Sequence, residues 1–207
     1  MTVRIGLAGP IGCGKSTVAG WLAERGAAVV DADRVARDVL DPGEPAVEAV
    51  VERFGPDVLG PDGGIDRAAL ARIVFGDPVA LRALEAIVHP RVRPRILATI
   101  AAAQDAGRTA VIVEAIKLVE GGLADVCDEV WLVTCDESTQ HARLAGRGMA
   151  EDDARQRIGA QRDLLERVRA LATRVLDTSG DSATTKALVR VAYDDAVRAA
   201  ERRAGSG

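Results

Sequence analysis

Gly9-Pro10-Ile11-Gly12-Cys13-Gly14-Lys15-Ser16 narrows what this chain can fold into more than any other stretch. It fits the pattern G-x-x-x-x-G-K-[ST] at every fixed position, and Thr17 follows. The pattern needs a strand before it and a helix after it. Val3 to Ala8 is a short apolar run suited to a buried strand. Thr17 to Arg25 carries Val18 and Leu22 at helical spacing, with Gly26 as a stop. The glycines let successive N–H groups turn inward as an anion nest, and the helix aims the positive end of its dipole at the same point. Such a loop predicts a nucleoside triphosphate as ligand. Lys15 is expected to reach the β- and γ-phosphates, and Ser16 to place its hydroxyl on Mg²⁺. The loop alone does not fix the fate of the γ-phosphate.

Ala27 to Val30 reads as a second strand, followed by Asp31-Ala32-Asp33. Carboxylates just past a strand sit at the carboxyl edge of the sheet, where open α/β sheets bind ligands. Either acid can instead cap the next helix, predicted from Arg34 to Leu40. Residues 41 to 107 are helical in pattern, with turns at Pro42-Gly43 and Pro61-Asp62-Gly63-Gly64. Helices are predicted from Pro45 to Phe54, from Asp66 to Phe75 and from Pro78 to Val88. His89-Pro90 is predicted to break the chain before another helix from Arg91 to Ala106. The whole span exceeds what a simple crossover needs, so it reads as an inserted acceptor site. For His89, capping or packing and direct catalysis both stay open.

Ala110 to Val113 resumes the sheet and ends in Glu114. Glu114 has the place of the carboxylate that holds Mg²⁺ through water in NTPases, or it is an ordinary acid at a strand end. Lys117 and Glu120 follow in a loop. Val130 to Val133 is a fourth strand, with Trp131 expected in the core. From Gln140 to Gln161 the chain carries Arg143, Arg147, Arg155 and Arg157. Arg143 and Arg147, four apart, are predicted to share a helix face and clamp phosphates. The neighbouring Glu151, Asp152 and Asp153 support the alternative of a solvated charged helix. Val175-Leu176 is a short fifth strand, and the last helix is predicted from Thr184 to Arg203, with Ala204 to Gly207 fraying.

The 207 residues are 48% hydrophobic but only 2% aromatic, so the core must be Ala, Val, Leu and Ile. That scarcity excludes a base-stacking nucleic-acid module. The net charge of −4 gives no overall basic surface for nucleic acid or anionic lipid. No apolar run is long enough for a bilayer, and no signal segment precedes the first strand, so a cytoplasmic protein is expected. Cys13, Cys127 and Cys135 lack paired metal spacing, and their odd number suits reduced thiols better than a disulfide scaffold.

Taken in order, further motifs join the phosphate loop: Asp31-Ala32-Asp33 with Arg37, Gly63-Gly64-Ile65-Asp66-Arg67, His89-Pro90, Glu120 with Gly122-Leu123, Gln140 with Arg143-Leu144 and Arg147, and Arg157-Ile158 with Gln161. This ordered set resembles the dephospho-CoA kinase family over nearly all of the chain. The resemblance implies an α/β P-loop NTPase fold: a five-stranded parallel sheet flanked by helices, with a helical acceptor-domain insertion and a lid. The nucleotide core would be 1–35, 109–138 and 164–207, the acceptor subdomain 36–108 and the lid 139–163. ATP and Mg²⁺ are implied as cofactors and dephospho-CoA as the small-molecule partner, in a monomer or small homo-oligomer. Gly9, Pro10, Ile11, Gly12, Cys13, Gly14, Lys15, Ser16, Thr17 and Arg143 would bind nucleotide. Asp33 would take or orient the acceptor hydroxyl, and Lys15, Arg143 and Arg147 would serve the transferring phosphate. Arg67, His89, Lys117 and Glu120 would contact acceptor, and Ser16, Asp31 and Glu114 metal. Two stretches depart from the family: Ile116-Lys117-Leu118-Val119-Glu120 stands where Pro-Leu-Leu-aromatic-Glu is usual, and Pro10 and Cys13 stand where Gly and Ser are common. Another small-molecule or nucleoside monophosphate kinase is the near alternative, and a regulatory NTPase the distant one. The chain has no Asn, which excludes the guanine-reading Asn-Lys-x-Asp motif.

Overall fold

The structure, a computed structural model, describes residues 1–205. Five parallel strands form one sheet in the order β2-β3-β1-β4-β5: β1 Val3–Ala8, β2 Ala28–Asp31, β3 Ala110–Glu114, β4 Glu129–Thr134 and β5 Arg174–Asp177. From β1 the chain crosses to β2 on one side of it, and from β3 it crosses to β4 on the other. The carboxyl ends of β1 and β3 therefore flank the switch point where such sheets hold ligands. Parallel strands covered by helices must be apolar throughout, and β3 is buried along its whole length.

Helix α1 (Lys15–Glu24) and helix α9 (Ser182–Gly205) pack together on one face of the sheet. Val3, Ile5, Leu7, Ile112, Trp131 and Val133 meet Val18, Leu22, Val189 and Ala196 there. Trp131 is fully buried, as expected, and its indole N–H donates to Glu129 Oε2 at 2.7 Å. Each such large side chain contributes about 1.5–3 kcal/mol. The terminal helix is longer than its sequence pattern predicts, reaching Gly205; of the segment expected to fray, Ser206 and Gly207 lie outside the described residues.

The chain divides into two compact units, one made of residues 1–31 with 99 onward, the other Ala32–Ala98. The second contains α2 (Ala32–Asp38), α3 (Pro45–Phe54), a 3-10 turn (Pro56–Val58), α4 (Arg67–Val74) and the first part of α5 (Pro78–Asp105). Asp66 caps α4 by accepting from the N–H groups of Ala68 and Ala69. Leu59 and Ile65 form an isolated antiparallel bridge around the Pro61–Gly64 turn.

The predicted break at His89-Pro90 does not occur. Helix α5 is continuous, with Pro90 and Pro94 inside it. Val88, Val92, Ile96 and Ile100, four apart, form a buried stripe that runs through both prolines, whose rings are exposed. Each interior proline costs about 3 kcal/mol, which burial of that stripe offsets at about 1.5–3 kcal/mol per side chain. Arg91 Nη1 also donates to the Ile87 carbonyl at 2.7 Å.

The remaining helices, α6 (Glu137–Ala145), α7 (Glu151–Ala160) and α8 (Arg162–Leu171), lie between β4 and β5 in sequence.

Candidate active site

The phosphate loop leaves β1 at Gly9, where a Cβ would lie 2.2 Å from the Val133 carbonyl oxygen in β4. Only glycine permits that approach. Gly12 and Gly14 have φ of 84° and 82°, which turn the backbone into the nest, and Gly14 caps α1 with no side-chain bond at its N-terminus. The first turn of α1 thus points its N–H groups at an anion position. Lys15 Nζ lies along the loop, donating to the carbonyls of Gly9 at 2.9 Å and Pro10 at 3.4 Å.

Ser16 Oγ donates to Glu114 Oε1 at 2.8 Å. Glu114 is buried, and Asp31 pairs with it in register from the neighbouring parallel strand, so both acids stand on the same side of the sheet. The three residues expected at a metal therefore converge. Among the described residues no group of three or more His, Cys, Asp or Glu could hold an ion by itself. One hydroxyl and two carboxylates fit Mg²⁺, which prefers hard oxygen ligands, keeps several waters and takes the rest from substrate phosphates.

The Ile11 peptide is held from both sides. Gln140 Nε2 in α6 donates to its carbonyl at 2.6 Å, and Gln161 Oε1, between α7 and α8, accepts from its N–H at 2.8 Å. Arg143, also in α6, donates from Nη1 to Thr178 Oγ1 at 2.9 Å and from Nη2 to the Thr178 carbonyl at 2.7 Å. The Thr178 hydroxyl lies 2.9 Å from the Cys13 carbonyl and 3.1 Å from that of Thr134, so one threonine ties loop, strand β4 and arginine together. Asp136 starts α6, accepting from the Thr139 N–H and from Ser138 Oγ. These bonds hold its carboxyl down at about 2.

Arg147 lies just past the end of α6, in the closing turn of the helix that carries Arg143. Helix α6 ends at Ala145, and Met149 N–H bonds back to the Leu144 carbonyl across Gly148, whose φ is 76°. Glycine in this left-handed position closes the helix. Both arginines line one cavity of about 410 Å³, with Gly14, Thr17, Trp21 and Gly180. Arg155, by contrast, pairs with Glu151 and Asp152 on an exposed face, as a solvated helix would.

The expectation of three reduced thiols is corrected as well. Cys13 and Cys135 form a disulfide, and Cys127 is the free cysteine among the described residues. Their separation of 122 residues hides the pair in sequence; it appears only because β1 and β4 are neighbours and their carboxyl ends adjoin. Burial pushes the Cys127 thiol up to about 12.

After β3, Leu118 is buried and Lys117 half-buried. Both Glu120 carboxylate oxygens are shielded from solvent and make no hydrogen bond. Arg167 Nη1 in α8 lies 3.2 Å from Oε1, an ion pair without hydrogen-bond alignment. In the Ala32–Ala98 unit, Asp33 is in the first turn of α2 and half-buried, Arg67 pairs with Asp41 at 2.8 Å, and His89 is half-buried within α5.

Sequence reasoning missed the role of Thr178. Its position just beyond the apolar fifth strand was the available signal, the same one that singled out Asp31 and Asp33. It also gave Gln140 and Gln161 no task, although Gln140 and Arg143 lie three apart on α6.

Comparison with known proteins adds a separate line. The family model for dephospho-CoA kinase matches residues 3–184. A dephospho-CoA kinase of Symbiobacterium thermophilum is 47% identical over 190 residues, covering 91% of this chain and 79% of that protein. One from Moorella thermoacetica is 44% identical over 196 residues, covering 94% and 92%. A crystal structure from Thermus thermophilus superposes with a TM-score of 0.77 at 33% identity, covering 93% of this chain and 97% of that one.

Proposed function

The chain belongs to the dephospho-CoA kinase family, and from that premise we propose how its own residues carry out the reaction. The activity is transfer of the γ-phosphate of ATP to dephospho-CoA, giving coenzyme A and ADP, with the ribose 3′-hydroxyl as acceptor. The observation that carries the residue assignment is the convergence of Lys15, Ser16 and Glu114 with two arginines around a glycine nest.

Gly9 to Thr17 bind the phosphates through backbone N–H groups. Lys15 leaves its carbonyl partners and takes up the β- and γ-phosphates. Ser16, Asp31 and Glu114 would hold Mg²⁺, the Glu114 carboxylate now taken up by the Ser16 hydroxyl. Bound Mg²⁺ supplies neutralisation of phosphate charge. Arg143 and Arg147 face the nucleotide cavity and stabilise the charge that spreads over the γ-phosphoryl oxygens in a loose transition state. Arg143 is pre-oriented by Thr178, so little side-chain entropy is lost when it acts.

The acceptor belongs to the Ala32–Ala98 unit in this reading, with Arg67 and His89 as contacts. Lys117 and Glu120, in the loop after β3, add contacts to it. Asp33 follows the last residue of β2 by two positions; it orients the hydroxyl and accepts its proton as the bond to phosphorus forms. The enzyme works in the cytoplasm; no helix among the described residues is long and apolar enough to cross a membrane.

The test is Asp33→Asn, which keeps shape and removes charge. We expect unchanged ATP binding by calorimetry and a loss of 3′-phosphate formation of about two orders of magnitude or more. Normal phosphorylation by that variant would show that Asp33 is not the acceptor base. Rapid ADP release without any acceptor would instead favour the regulatory NTPase reading.

A further inference from the structure

The Cys13–Cys135 bond joins the two parts of the site that the mechanism asks to cooperate. Cys13 lies between Gly12 and Gly14, the residues whose positive φ forms the nest. Cys135 directly follows β4 and precedes Asp136, the cap of α6, which carries Gln140 and Arg143. The Cys13 side chain is fully buried in the core beneath the loop, with Cys135 packed against the same cluster. The sulfurs therefore lie on the core side of the loop and leave the phosphate position open. Cys13 is fully buried and Cys135 half-buried, so Cys135 is the partner nearer solvent.

We propose that Cys13 and Cys135 are a reversible thiol–disulfide pair that sets the ATP affinity of the phosphate loop, a regulation that rests on the ATP reading above. In the oxidised state the loop is covalently fixed to the root of α6 and is preorganised for phosphate. In the reduced state it is held by the weaker bonds from Gln140, Gln161 and Thr178, and part of its ordering is left to ATP binding.

The chemistry balances with cellular reagents of two classes. A hydroperoxide takes two electrons and two protons from the two thiols: both S–H bonds break, the S–S bond forms, and hydrogen peroxide leaves as two waters. In the reverse direction a low-molecular-weight thiolate attacks Cys135 Sγ, Cys13 leaves as thiolate and gains a proton, and a second thiol resolves the mixed disulfide, leaving the reductant as its own disulfide. Cys127, half-buried and unpaired with its thiol raised to about 12, stays outside this exchange.

The experiment uses the full chain, oxidised with hydrogen peroxide or reduced with dithiothreitol and then freed of reagent. ATP binding is measured without acceptor, because the thiol of dephospho-CoA is itself a reductant. Thiol titration after denaturation should count one thiol in the oxidised sample, Cys127, and all three cysteines in the reduced one. ATP should bind about five- to thirtyfold more weakly after reduction, the effect of leaving roughly one backbone residue unordered. The reduced protein should also melt about 5–15 °C lower. Cys135→Ser should bind ATP like the reduced protein and ignore peroxide. If that variant does not fold, the reagent-treated wild type decides alone. Three titratable thiols after peroxide, or equal ATP affinity in both states, overturns the proposal. Failure to bind ATP in either state overturns the reading beneath it.

Discussion

Gly9→Ala and Gly20→Ala are the same chemical change with opposite expected signs. At Gly9 the new Cβ would lie 2.2 Å from the Val133 carbonyl oxygen and 3.2 Å from the Val133 Cβ. Carbon and oxygen need about 3.2 Å or more, the usual limit of van der Waals approach, so loop and strand must part by about 1 Å. Val133 cannot yield easily: β4 is paired on both sides, to β1 and β5, and Val133 itself is fully buried. The displacement therefore falls mainly on the phosphate loop. Overpacking of this kind costs about 1–3 kcal/mol, a fall in melting temperature of about 2–12 °C at this chain length. A misplacement of about 1 Å in a reacting group also costs on the order of 10²-fold in rate. Gly20 is exposed inside α1, and nothing lies within 4 Å of its would-be Cβ. Alanine there removes freedom from the unfolded chain and should stabilise by about 0.4–1 kcal/mol. The assays are thermal melting and ADP release coupled to dephospho-CoA, both proteins side by side with wild type. If Gly9→Ala melts and turns over like Gly20→Ala, the Val133 carbonyl is not the rigid wall argued for, and the role given to Gly9 is wrong.

Arg143→Ala should lower kcat by about 10²-fold and also the melting temperature, since it frees Thr178; Arg147→Ala, exposed and beyond α6, should lower kcat alone. A rise only in acceptor KM for either variant, with kcat intact, removes that arginine from the phosphate. Asp136 offers a pH test: the Thr139 N–H and Ser138 hydroxyl hold its carboxyl down at about 2, below the usual aspartate range, so its stabilisation is present above about pH 4 and lost as pH falls towards 2. Asp136→Ala should therefore melt about 2–4 °C below wild type at pH 7, with the gap closing near pH 2; a gap constant with pH rules out the carboxylate as its source.

The loop, its strand and its helix were legible because they depend on local pattern alone. The five strands followed from apolar runs ending in acids or turns, and Glu114 with Asp31 from their place at strand ends. What escaped depends on partners far apart in the chain. His89-Pro90 was read as a break because the local cost of a proline is visible, whereas the buried Val88–Ile100 stripe that offsets it is visible only once packed. Arg143 and Arg147 were placed together by counting residues, and they line one cavity although α6 ends between them. Cys13 with Cys135, and Thr178 with Arg143, needed the sheet order first.

The doubly held Ile11 peptide works as a latch of limited strength. Gln140 belongs to the helix that starts from β4, whereas Gln161 sits beyond the glycine turn at 146–148, on the far arm of α7 and α8. Swinging that arm away leaves the Gln140 bond intact and breaks the Gln161 one. A single neutral hydrogen bond is worth about 1 kcal/mol net, about a fivefold bias. That bias adds to what already seats the arm, the fully buried Val168 of α8 and the Arg167–Glu120 ion pair, so the Gln161 bond tunes the loop more than it holds the arm. On the proposed binding mode, nucleotide at the nest would meet an Ile11 N–H already capped by Gln161, and seating phosphate there would exchange one oxygen acceptor for another instead of desolvating a bare amide.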